Sequence, residues 1–165
     1  MRFDHYQYLM ANMFKQQSEE TGAFPVNYTD IPVHRLPPLV LAYVGDAYFT
    51  LYVRTRLLSY EQNKVRVLHD CDAKMVSAVM QARAYKALEA TLSEEEIAVV
   101  KRGRNAKSSV PKSATVAEYR YSTGFEALLG YLYLKEDYRR LVELVSQAFD
   151  VISREMTKTG AASPQ

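Results

Sequence analysis

At 165 residues, 48% hydrophobic and 24% charged, the chain is about one domain long and carries enough apolar material for a single substantial core, as ordinary soluble globular proteins do. A lone cysteine, Cys71, excludes an internal disulfide framework and fits a reducing cytoplasm; no apolar run reaches the roughly 20 residues of a membrane span, and the first residues, with Asp4, His5 and Asn12, lack a signal-peptide core. A net charge of +2 does not by itself announce a nucleic-acid partner, but four cations fall between Lys101 and Lys107 while acids gather at Glu94, Glu95 and Glu96.

Residues 1–30 read as an N-terminal extension. A polar helix from Tyr6 to Glu20 is broken by Gly22, Pro25, Asn27 and Asp30 before any core begins. Pro37 and Pro38 suit the first turn of a helix, and the run from Leu39 to Leu58 is apolar on every face, as for a central helix wrapped by others. Gly45 is costly in a helix interior, by about 1 kcal/mol, which implies that another backbone comes close there. A second helical region spans Glu61 to Ala90 with a break expected around Cys71 and Asp72; Val65, Leu68, Met75, Val76, Val79 and Leu88 form its buried side.

Ser93 followed by Glu96 is a capping box that opens a helix reaching about Arg104, and Thr115 with Glu118 is a second one opening a helix to about Leu134. Residues 108–113 form a loop between them. A last amphipathic helix begins at Asp137 with Leu141, Leu144, Val145 and Phe149 on one side, and residues 156–165 are assigned to a disordered tail. With no alternating strand pattern, the expected fold is all-α, a helical bundle with its working domain over residues 31–155.

Two of these helices each carry one isolated acid. Between Arg35 and Arg54 the only charged residue is Asp46, and between Arg120 and Lys135 the only one is Glu126. A buried carboxylate must be paired, protonated or bound to a metal, so two such acids on different helices suggest a shared cation as much as two separate structural ion pairs. The bland alternative, a satisfied structural acid, is equally plausible for either residue taken alone.

Their surroundings carry more information. Gly45-Asp46-Ala47 inside a hydrophobic helix, followed downstream by Phe125-Glu126-Ala127-Leu128, resembles the ribonuclease III catalytic domain. The stretch Arg102-Gly103-Arg104-Asn105-Ala106-Lys107-Ser108, then Pro111-Lys112, then Tyr119-Arg120-Tyr121-Ser122-Thr123, is similar to the compact Mini-III branch, which has no separate double-stranded-RNA-binding domain. The resemblance implies an endoribonuclease that cuts double-stranded RNA, leaves a 5′-phosphate and matures the 23S ribosomal RNA precursor. It also implies a cytoplasmic homodimer that works alongside ribosomal proteins.

On that resemblance Asp46 and Glu126 are the catalytic acids and the ligands of Mg²⁺, for which Mn²⁺ substitutes, with Thr123 offering a hydroxyl or an ordered water. Ribonuclease III enzymes usually carry two further acids, where this chain has Ala42 and Thr123. Such a thin set holds a metal largely through water. The basic segment supplies the expected RNA contacts, Arg102, Arg104, Asn105, Lys107, Ser108 and Lys112, joined by Arg120, Lys74 and Arg83, with His69 and Gln81 on the same RNA-facing side. Tyr43, Tyr48, Phe49 and Tyr52 are the expected source of dimer surface.

Two other readings stay open at this stage. His69-Asp70 is the core of an HD-type metal-dependent phosphohydrolase, which needs a further His and Asp, with His34 and Asp137 as candidates. A double-stranded-RNA-binding module that kept the fold and lost the chemistry is the non-enzymatic rival.

Overall fold

Pro37 and Pro38 start the longest apolar helix as expected: Pro38 occupies its first position, where a missing backbone N–H costs nothing. The computed structural model describes residues 4–13, 31–107 and 113–160 of the chain. Every regular element among them is helical, so the fold is all-α. The chain divides into Met1–Pro32 and Val33–Gln165. The first unit contains α1 (His5–Met13), capped by the Asp4 carboxylate, which accepts from the N–H groups of Tyr6 and Gln7 at 3.0 and 3.1 Å. Residues 14–20 of the expected polar helix lie outside the described residues.

The second unit runs from a short 3-10 turn at Val33–Arg35 through α2 (Pro38–Leu57), α3 (Val65–Met75), α4 (Ala78–Leu88), α5 (Glu94–Arg104), α6 (Val116–Leu134) and α7 (Tyr138–Gly160). Both capping boxes are present: the Ser93 and Thr115 hydroxyls each accept the N–H three residues on at 3.2 Å, and Glu96 and Glu118 reach back to the cap N–H at 2.8 and 2.9 Å. Asp137 accepts the Arg140 N–H at 3.3 Å and opens α7. That helix occupies residues 156–160, which the sequence reading gives to the tail; residues 161–165 lie outside the described residues.

The wrapped helix is α6, not α2. Its Phe125, Ala127, Leu128, Leu129 and Leu132 are buried, and it packs against α2, α4, α5 and α7. Only one side of α2 is covered, through Leu41, Phe49, Val53 and Leu57; Leu39, Val40, Tyr43 and Leu51 on the same helix face solvent, Tyr43 at 80% exposure. The all-round apolar pattern therefore marks a helix with one face in the core and an uncovered apolar face, which sequence periodicity does not distinguish from full burial.

The break in the second helical region falls at Val76 and Ser77 instead of Cys71 and Asp72. Ser77 caps α4 by accepting the Met80 N–H and donates its hydroxyl to the Lys74 carbonyl at 2.7 Å. Asp72 sits within α3, buried, where the Arg54 guanidinium donates to it at 2.5 Å. A polar residue in that place is an ion-pair partner for α2, not a helix breaker. Val65 and Val67 of α3 are exposed, so the buried side expected there is smaller than the sequence suggests.

Candidate active site

Glycine sets the spacing of the site. A β-carbon on Gly45 would collide with the Glu126 carbonyl oxygen and stand 2.7 Å from the Gly130 nitrogen; one on Gly130 would collide with the Leu41 carbonyl oxygen. α2 and α6 thus meet backbone to backbone, which no other residue permits. The close approach expected at Gly45 is present, and it brings Asp46, the next residue of α2, beside Glu126 of α6. On the other side of α6, Gly124 and Gly103 do the same for α5: a β-carbon on Gly103 would lie 2.8 Å from the Gly124 α-carbon.

Asp46 and Glu126 repel one another. The Glu126 carboxyl is pushed up to about 8, chiefly because burial strips it of water and secondarily because of the Asp46 charge, against which a hydrogen bond from the Gln81 side chain acts. Asp46 is solvent-exposed as a residue, yet lost hydration still raises its carboxyl above the ordinary range. Neither acid is ion-paired to a Lys, Arg or His among the described residues. Two repelling carboxylates without a cation suit a hard divalent ion that takes one or two carboxylates and keeps its waters.

The remaining expected residues divide. Thr123 is buried, and its hydroxyl donates to the Tyr119 carbonyl at 3.0 Å, one helical turn back. The Arg102 guanidinium donates to the carbonyls of His34 at 2.7 Å and Leu36 at 2.8 Å and so ties the segment before α2 to α5. Arg104 lies over the Tyr121 ring, 5.3 Å from its centroid, with Lys86 also over that ring at 5.4 Å and Tyr85 stacked on it at 5.3 Å. Asn105, Lys107, Arg120 and Lys74 are exposed, Arg83 pairs with Glu155 at 3.4 Å, and Ser108 and Lys112 lie outside the described residues.

Gln81, expected on the RNA-facing surface, is instead 1% exposed and lies against Glu126. Lys86, which the sequence offers with Lys74 and Arg83 as an alternative cationic helix, lies over the Tyr121 ring beside Arg104. His69 is exposed in a groove with Asp72, Leu51 and Val65, and no group of three or more His, Cys, Asp or Glu that could hold a metal exists among the described residues. The HD arrangement with His34, Asp70 and Asp137 is therefore absent.

Comparisons with known proteins give the family. The model of the ribonuclease III domain family matches residues 39–137. The Mini-ribonuclease 3 of Thermoanaerobacter sp. (strain X514) is 48% identical over 118 residues, 71% of this chain and 83% of its own length. That of Symbiobacterium thermophilum is 50% identical over 120 residues, 72% and 92% of the two chains. A crystal structure of a Fusobacterium nucleatum protein aligns with a TM-score of 0.66 at 31% identity, covering 74% of this chain and 97% of that one.

Proposed function

Since this chain belongs to the ribonuclease III domain family, on its Mini-ribonuclease 3 branch, and is an endoribonuclease acting on RNA, we propose that it hydrolyses double-stranded RNA with Mg²⁺ held by Asp46 and Glu126. The observation that carries this reading is the pair of mutually repelling carboxylates on α2 and α6, two helices that meet backbone to backbone, with no ion-pair partner among the described residues. Held there, Mg²⁺ would supply an activated water and neutralise charge that develops on the phosphate, and Mn²⁺ would serve in its place. The chain's own part is to hold two acids at a fixed separation, to give up the Glu126 proton when the cation binds, and to present cations to the RNA backbone.

Those cations are Arg104 and Lys86 over Tyr121, with the exposed Lys107, Arg120 and Lys74, and the exposed Asn105 adds a neutral amide. Ser108 and Lys112 continue the basic segment in sequence. A-form RNA, whose shallow minor groove is recognised by shape and phosphate contacts, suits such a surface. The products carry 5′-phosphates, and the cellular substrate is the 23S ribosomal RNA precursor, met in the cytoplasm together with ribosomal proteins. No helix among the described residues is long and apolar enough to cross a membrane.

The working form is a homodimer. Phe49 is in the core and Tyr52 packs on Phe149, so the surface available for pairing is the uncovered face of α2, with Leu39, Val40, Tyr43 and Leu51, continuing into a groove of about 310 Å³ against Val65 and Leu68 of α3. Residues 31–155 make up the catalytic domain and residues 1–30 an extension to it.

Cleavage of a perfectly paired RNA, followed with Mg²⁺ and after chelation, tests the proposal. Asp46→Asn and Glu126→Gln each lower the rate by orders of magnitude while duplex binding survives, because charge is lost without a change of shape. Full activity in either variant, or cleavage that persists in chelator, overturns it.

A further inference from the structure

Tyr121 gathers two cations from two other helices. The Arg104 guanidinium, at the end of α5, lies 5.3 Å from the centroid of its ring, and the Lys86 ammonium of α4 lies 5.4 Å from it. Tyr85, itself buried, stacks on the same ring at 5.3 Å with 21° between the planes and holds it against α4. The close approach of Gly103 to Gly124 brings the end of α5 onto α6, which lets Arg104 reach the ring.

Neither cation has an acid for a partner. No ion pair of Arg104 or Lys86 exists among the described residues. The acids that flank the cluster in sequence are engaged elsewhere: Glu89 accepts the Tyr85 hydroxyl at 2.7 Å, and Glu118 accepts the N–H and hydroxyl of Thr115 at 2.9 and 2.7 Å. Two like charges drawn to one ring repel each other, and the ring face offsets that repulsion without supplying a net negative charge. An anion completes the cluster.

A long, flexible cation loses rotamer freedom when it grips a phosphate, whereas a side chain already laid over a ring has given up much of that freedom beforehand. The geometry points to Tyr121 as a positioning residue that presents Arg104 and Lys86 together to the phosphate backbone of double-stranded RNA. Tyr121 and Glu126 belong to one helix, α6, so the cations are held in register with the acids. The inference rests on the RNA surface proposed above and deepens it, since it gives the ring, and not the cations alone, a share in the affinity.

Replacement of Tyr121 in the full chain by phenylalanine, and by phenylalanines of rising ring fluorination, tests it, because fluorine keeps the shape and removes the negative face. Binding of unrelated, perfectly paired RNAs is measured in chelator, alongside thermal melting and cleavage with Mg²⁺. Tyr121→Phe is expected to bind within about twofold of wild type, since the phenol oxygen stands 3.5 Å from the Arg104 guanidinium, the limit of a hydrogen bond. Full fluorination is expected to weaken binding about fivefold and to raise KM alike, with kcat retained at saturating RNA. In a chain that also carries Arg104→Ala and Lys86→Ala, fluorination should change nothing further. A packing role alone would not follow the fluorine count. Tyr121→Leu, read in the same two backgrounds, decides the matter if the fluorinated chains do not fold. Affinity that ignores the ring substitutions while Arg104→Ala and Lys86→Ala weaken binding overturns the inference alone. Wild-type affinity and salt dependence in Arg104→Ala and Lys86→Ala overturn it together with the RNA surface on which it rests.

Discussion

The carbonyl oxygen of Glu126 occupies the space where a side chain on Gly45 would begin. The two acids are therefore brought together by a missing side chain, not by an attraction between them, and their repulsion is sustained by the packing of α2 on α6.

Gly45→Ala and Gly130→Ala are expected to destabilise the protein by about 3 kcal/mol or more, because backbone atoms are what the new methyl meets and they cannot turn aside. Denaturant melts check this. A loss below about 1 kcal/mol would show that the helices part easily, and the fixed separation of the acids would fail with it.

Metal-free stability should fall as pH rises. Glu126 ionises near 4.5 when unfolded and at about 8 when folded, so the folded state keeps a proton that the unfolded state releases. The contribution is full below pH 4.5 and is lost as pH climbs through about 8. Melting temperature should drop by several degrees over that interval, Glu126→Gln should flatten the drop, and Mg²⁺ should restore stability at the alkaline end, where the carboxylate is free to bind it. Identical profiles for wild type and Glu126→Gln would contradict the shift.

Arg102 and Arg104, two residues apart, should behave differently. Arg102→Ala removes donors from the His34 and Leu36 carbonyls and should lower the melting temperature, with the salt dependence of RNA binding retained. Arg104→Ala and Lys107→Ala should leave melting nearly unchanged but weaken binding to unrelated duplexes alike, each reducing the salt slope by roughly one unit or less. Filter binding across a salt series separates them; equal salt slopes for all three variants would remove the distinction.

Glu136 adopts φ 63° in the turn between α6 and α7, where the Asp137 N–H donates to the Leu132 carbonyl at 2.9 Å and the Glu136 N–H to the Tyr133 carbonyl at 3.1 Å. This is the helix-ending position that glycine favours. Glu136→Gly is expected to stabilise by about 1 kcal/mol with activity unchanged. A lower melting temperature would mean that the glutamate side chain contributes more than its backbone strain costs.

Local rules made much of this fold legible. Ser93 with Glu96 and Thr115 with Glu118 fix two helix starts through atoms at most three residues apart, and Pro38 fixes a third, so no tertiary information is needed. Long-range partners are what the sequence hides. Asp72 reads as a break because its Arg54 partner is 18 residues away, and Arg102 reads as an RNA contact because its acceptors are backbone carbonyls more than 60 residues upstream. The two acids stand out because each is the only charge among apolar neighbours, whereas Gln81 does not: it is uncharged, and Arg83 and Lys86 on the same helix make that helix read as a solvated face.

Glu126 belongs to the most enclosed helix of the protein, with Phe125, Ala127 and Leu128 inaccessible on either side of it. Amide hydrogens there can exchange with solvent only when α2, α4 and α5 let go together, so this stretch should be among the last to become labelled in deuterated water. The helices around the acids are accordingly expected to melt as one unit. On heating, the loss of reactivity and the loss of structure should follow one curve, and partial opening elsewhere in the molecule should leave the acids where they are.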